Sequence, residues 1–268
     1  MKFLFTLFIA FILNSNLAHA DAVLDRVLKS KTLRCGFFVE APFTIYNPNT
    51  GAFSGLSVEL AEMIAKDLGF KLEWSEEIAF DTFGQDMQNG RYDMVCAGIF
   101  TLPRAASMFY SMPYAYAPVH GYVVKGNTNF DKDFESIDWK DIKVSGIDGE
   151  GATAAVERLI PETELVTLPQ RSTTAEMLLQ VQTKKTDIGF VLPTVFEEYN
   201  KNNPGKLKQA EPGKPLYQYA VGFATPRSAH DFRQIINQQL QQYIASGELH
   251  ELAAKYDPKG LFKYPQRP

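Results

Sequence analysis

Cysteine is scarce in this 268-residue chain: Cys35 and Cys96 are the only two. The four histidines, His19, His120, His230 and His250, are scattered. With so few thiols and imidazoles, none clustered, the usual metal centres are excluded. No G-x-S-x-G elbow, P-loop or H-E-x-x-H element is present. The glycine-rich "GIDGEGA" of residues 146–152 lacks the G-x-G-x-x-G spacing of a dinucleotide loop. No cofactor is therefore expected. Positive charge is also short, with 27 Lys and Arg against 31 Asp and Glu and a net charge of −4. Such a balance excludes nucleic acid and anionic membranes as natural partners.

Long apolar runs are absent too, except at the start. Lys2 precedes an apolar stretch from Phe3 to Leu13, and Ala18-His19-Ala20 stands before Asp21. A basic start, an apolar run too short to span a bilayer and an A-x-A site describe a secretory signal peptide over residues 1–20, removed after Ala20. The remaining chain is expected to be soluble and exported. An oxidising compartment permits a Cys35–Cys96 disulfide. Both residues sit in strand-like runs, "TLRCGFF" and "YDMVCAGI", so adjacent strands would bring them within reach. Two buried free thiols are the alternative.

What is present is alternation. "TLRCGFF" reads as a strand and "SGLSVELAEMIAKDLGF" as a helix stopped by Gly69. "KLEWSEE" is a strand, "AFDTFGQDMQNG" a short helix and "YDMVCAGI" a buried strand. A second set follows: strand "IKVSGI", helix "GATAAVERLI", strand "ELVTLP", helix "STTAEMLLQVQTKK", strand "TDIGFVLP" and helix "TVFEEYNKNN". Extended runs "HGYVVKGN" and "LYQYAVGFATP" bracket this set, and two helices finish the chain. The reading is an α/β fold of two lobes, the second inserted into the first, each an open sheet. Lobe one covers 21–123 and 217–268, and lobe two covers 124–216. A ligand would lie between them at the carboxyl ends of the strands.

"TLRCGFFVEAPF", "NGRYDMVCAGIFTLPR", "YSMPYAY", "IDGEGA", "DIGFVLP" and "SGELHELAAKYDP" occur in an order that resembles the periplasmic solute-binding proteins of ABC importers, in the polar-amino-acid-binding (family 3) branch. The resemblance implies the two-lobed type II fold, hinge closure over a ligand, delivery to an ABC permease and a monomeric, periplasmic protein. It also implies that Thr101-Leu102-Pro103-Arg104 is the T-x-x-R element whose arginine grips a ligand carboxylate. Independently, a guanidinium matches a carboxylate bidentately and keeps its charge. Bracing of an acidic side chain is the other use of Arg104. The same likeness puts the strand end Ala97, Gly98 and Ile99, the aromatics Phe38 and Phe80, the loop Gly149-Glu150-Gly151 and Leu192 at the ligand; Phe43 is a further candidate for the apolar wall.

Several of these depart from the family pattern. Ile99 stands where a hydroxyl is usual, and Leu192 runs on from Asp187 where an acidic residue usually holds the ligand ammonium. Glu40 replaces an aromatic and Glu150 enters the second-lobe loop, so either is a candidate for a displaced cationic group. Ordinary α-amino acids are expected to bind poorly and organic acids, or acids with a displaced amine, better. Two other classes remain open: a dehydratase-like enzyme on the same scaffold, with Glu150 as the acid–base candidate, and a ligand-sensing module for a membrane receptor.

Overall fold

The computed structural model describes residues 21–79, 82–99, 103–210 and 214–268. The predicted signal peptide, Phe80 and Thr101 lie outside the described residues. The chain runs α1 (Ala22–Ser30), β1 (Thr32–Phe37), β2 (Ile45–Asn47), β3 (Ala52–Ser54), α2 (Leu56–Asp67), β4 (Lys71–Glu77), α3 (Phe83–Gln88) and β5 (Met94–Ile99). A short 3-10 turn at Pro103–Ala106 leads to β6 (Met108–Tyr110) and the long β7 (Ala115–Val124). Next come β8 (Lys143–Ile147), α4 (Gly151–Leu159), β9 (Glu164–Leu168), α5 (Thr174–Gln182), β10 (Ile188–Val191), α6 (Pro193–Asn202) and β11 (Leu207–Gln209). The long β12 (Tyr217–Pro226), α7 (His230–Ser246) and α8 (Glu248–Tyr256) complete it.

Strand order explains the two lobes. The path runs β4-β1-β5-β12-β7-β10-β8-β9. On one side, β1 lies parallel between β4 and β5, and β12 closes the set antiparallel to β5. On the other, β8 lies parallel between β9 and β10, and β7 closes the set antiparallel to β10. Each half therefore repeats one arrangement and borrows its antiparallel strand from the pair that joins the halves. Tyr217–Val221 of β12 pairs with Ala115–Val119 of β7, while His120–Val123 of β7 pairs with β10. β7 thus changes sheets along its length, its first half bound to β12 and its second to β10.

Buried apolar side chains fill both lobes, and the parallel strands carry them on both faces, as the runs "MVC" and "IGFV" require. Helix starts are set locally. Asp21 caps α1 by accepting from the backbone N–H groups of Val23 and Leu24, and its other oxygen accepts from Phe232 N at 2.9 Å, tying α1 to α7. Thr173 and Glu176 form a reciprocal capping box on α5. Asp93, 2 % exposed in its side chain, accepts from Arg26 and from the Arg34 backbone and guanidinium. This buried carboxylate and its two arginines lock the start of β5 to β1. Cys35 and Cys96 are joined in a disulfide with a Cα–Cα distance of 5.5 Å, so the same two strands are also crosslinked.

Candidate functional site

Four strand ends meet at one place. β1 leads to Glu40, β5 to Arg104, β8 to Glu150 and β10 to Leu192. Parallel strands on either side of a topological reversal leave a crevice at their carboxyl ends, and these loops line it. The loop after β1 is rigid. Glu40 N donates to Thr44 O, and Phe43 N and Thr44 N both donate to Glu40 O, each at 2.9 Å. The start of α2 seals it, because Leu56 N and Ser57 N donate to the carbonyls of Pro42 and Phe43 at 3.0 Å. Gly55 makes this approach possible: its φ is +126°, and a Cβ there would sit 2.3 Å from Phe43 O.

Arg104 crosses the crevice. Its Nη2 donates to Gly149 O at 2.6 Å, and its guanidinium carbon lies 5.1 Å from the centroid of the Phe83 ring. Gly149 has φ +76°, a conformation suited to glycine, and Glu150 follows as the N-cap of α4. Glu150 Oε2 accepts from Thr153 N at 3.0 Å, and Thr153 Oγ1 accepts from Ile147 N at 2.9 Å, so strand end, loop and helix start form one unit. The guanidinium therefore already holds one oxygen across the crevice, and a carboxylate offers it two.

Glu40 and Glu150, both half-buried, share a small cavity of about 20 Å³ with Tyr219, Phe190, Leu192 and Val195. Burial, reinforced by the Glu150 charge, pushes the Glu40 carboxyl up to about 8. Burial also raises Glu150, opposed by the backbone N–H groups of Ala152 and Thr153 and by Arg104. Tyr219 is 2 % exposed and its buried hydroxyl has no hydrogen-bond partner. On the outer side of Glu40 lies a separate groove of about 580 Å³ between Val39-Glu40-Ala41 and helices α5 and α6. Thr194 lines that groove and its Oγ1 is likewise buried without a partner.

The predicted residues do not all arrive together. Arg104, Gly149, Glu150 and Gly151 meet at the start of α4, and Glu40 and Leu192 line the adjoining cavity. Ala97, Gly98 and Ile99 form the end of β5, with Gly98 and Ile99 paired to Gly222 and Val221 of β12. Phe38 packs against the apolar cores of the first lobe. Phe43 is not part of the crevice wall: it is 1 % exposed and packs edge-on against Phe262, 5.0 Å between centroids. The sequence reading missed Phe83, Tyr219, Thr174 and Val195. Phe83 was hidden in a short helix, and Tyr219 in a strand read as a connection; an aromatic at a crossing point was the available signal. Among the described residues no group of three His, Cys, Asp or Glu could hold a metal ion.

Residues 33–259 match the family described as bacterial extracellular solute-binding proteins, family 3. The probable amino-acid-binding protein YxeM of Bacillus subtilis (strain 168) is 28 % identical over 221 residues, covering 80 % of this chain and 79 % of the relative. Among solved structures, the P235GK mutant of ArgBP from T. maritima superposes with a TM-score of 0.73 at 21 % identity, over 88 % of this chain and 100 % of that one. The ancestral amino-acid-binding protein AncCDT-1, a precursor of cyclohexadienyl dehydratase, gives 0.72 at 26 % identity, over 88 % and 99 % of the two chains. With its family model matched over residues 33–259, most of its length, the chain belongs to family 3 of the bacterial extracellular solute-binding proteins.

Proposed function

We propose that this protein captures a small carboxylate-bearing solute, amino-acid-like or an organic acid, between its lobes and delivers it to an ABC permease. The observation that carries this reading is Arg104, a carboxylate-matching group that reaches across the crevice to Gly149 O. Residues 21–123 with 217–268 act as one lobe and 124–216 as the other. β7 and β12 absorb the hinge motion. Solute contacts on both sides favour the closed form, because only a difference in affinity between open and closed states shifts their populations. The protein works as a monomer in the periplasm, after removal of residues 1–20. It is a binding protein, not an enzyme; YxeM, the relative described above, is itself named as an amino-acid-binding protein.

The dehydratase-like alternative draws on one specific observation, a carboxyl at Glu40 raised to about 8 and therefore able to donate a proton near neutrality. It differs in outcome, since an enzyme would convert what it holds.

A thermal-shift panel of carboxylic acids, amine-bearing acids and standard amino acids tests the reading, because a ligand that prefers the folded form raises Tm. Carboxylates should stabilise the wild type, and Arg104→Ala should lose that response while keeping its own fold. Arg104→Lys should not restore it, since a point charge lacks the bidentate fit. Unchanged stabilisation in Arg104→Ala would overturn the role of Arg104. Strong stabilisation by neutral α-amino acids would overturn the expectation drawn from Ile99 and Leu192. Release of a chemically altered ligand would favour the enzyme.

A further inference from the structure

We propose that Glu40, Glu150 and Tyr219 together form a receptor for one primary ammonium group of the solute, built from both lobes. The proposal rests on the solute-binding reading and adds the chemistry of the solute's second end. The position where an ammonium partner would be expected is Leu192, which lines the same cavity but offers no charge. Negative charge is supplied instead from the loop after β1 and from the cap of α4.

Three observations converge. The two carboxylates approach from opposite lobes and face one small cavity. Tyr219, on β12 where the lobes join, lines that cavity with a buried hydroxyl lacking a partner, and a buried polar group without one is costly. An ammonium carries three donors and no acceptor. Two carboxylates and the phenol oxygen are three acceptors, and the phenol proton can in turn be donated to a carboxylate. Size adds a restriction: about 20 Å³ holds one water-sized group. A primary ammonium fits that space, whereas a trimethylammonium or a guanidinium does not. Arg104 is bonded to Gly149 O, the residue before Glu150, so a carboxylate at Arg104 and an ammonium in the cavity belong to one short molecule.

A proton balance follows. Closing the lobes brings two like charges together, and one of them keeps a proton unless a cation arrives. Arg104 faces the Glu150 end, Arg158 acts on Tyr219 through the side where it stacks on Tyr217, and Glu176 and Glu198 line the groove outside Glu40. Among the described residues, Arg104 is the cation that acts on Glu150, and the charge that acts on Glu40 is that of Glu150. Capture of an ammonium solute therefore releases the shared proton to solvent as the ammonium takes its place, and the total charge in the cavity is conserved.

Titration calorimetry tests this with defined probes: γ-aminobutyrate, δ-aminovalerate and L-lysine against succinate, glutarate and the N-trimethyl derivative of γ-aminobutyrate. At least one primary amine should bind the wild type about a hundredfold more tightly than the controls. Runs in buffers of different ionisation heat near neutral pH should show release of about one proton per amine bound. Glu40→Gln and Glu150→Gln should each lose most of that preference and the proton release. Glutamine at position 150 still offers an oxygen to Thr153 N, so the α4 cap survives and a melting temperature no lower than that of wild type verifies it. Equal affinity for amines and dicarboxylates, or an amine preference that survives both substitutions, overturns the receptor while leaving the Arg104 reading intact. Failure of every carboxylate probe to bind the wild type overturns the Arg104 reading and this one with it.

Discussion

Glu40 and Glu150 are far apart in sequence, and only the closed crevice makes them neighbours. A carboxyl whose folded pKa lies above its unfolded value holds its proton more tightly when folded. It therefore withdraws stability as pH rises through the interval between the two values. For Glu40 that interval runs from about 4.5 to about 8. Glu40→Gln should melt progressively higher than wild type as pH is raised across this window, and the advantage should vanish below it. Scanning calorimetry of the two proteins at matched ionic strength measures the difference; an advantage that does not change with pH would show that the Glu40 carboxyl is not raised. At this scale Arg104 was legible because a lone guanidinium in an apolar stretch needs a partner. Tyr219 was not, because nothing local to "LYQYAVGF" distinguishes a phenol with a partner from one without.

Among elements, the junction of α2 with the loop after β1 sets where Glu40 stands. Gly55→Ala would force a side chain into backbone that tolerates only glycine and against the Phe43 carbonyl. The loss should be about 2–3 kcal/mol. That corresponds to roughly 5–10 °C in Tm for a chain of this size. Affinity should fall as well, since the loop can no longer seat on the helix start. A thermal melt within a degree or so of wild type would show that the junction yields easily. Most elements could be read from periodicity. The exceptions have physical reasons. The β2–β3 hairpin and β11 are three residues per strand, too short for alternation to register. β7 begins at Ala115, earlier than the expected extended run, because Pro118 within it reads as a break. α1 did carry a signal, Asp21 before an amphipathic stretch, and was passed over.

For the whole molecule, the division into two α/β lobes could be anticipated from alternation, but the strand order, and the passage of β7 from β12 to β10, could not, since pairing partners leave no mark in one strand's own sequence. The disulfide closes a loop of 61 residues, which by chain entropy stabilises the fold by about 4 kcal/mol. Replacing both cysteines by alanine should lower the unfolding free energy by about 2–4 kcal/mol. Equilibrium denaturation with and without the crosslink checks this, and a loss under about 1 kcal/mol would show that its effect lies elsewhere. The crosslink also has a consequence for the two side chains that lie beyond it. Cys35 and Cys96 stand just upstream of Glu40 and Arg104, on the two strands that aim those residues. A single oxidation event therefore stitches together the roots of both grips. The strands are held together as well by their own pairing and by Asp93, so the crosslink narrows the play between the acid and the guanidinium rather than creating their spacing.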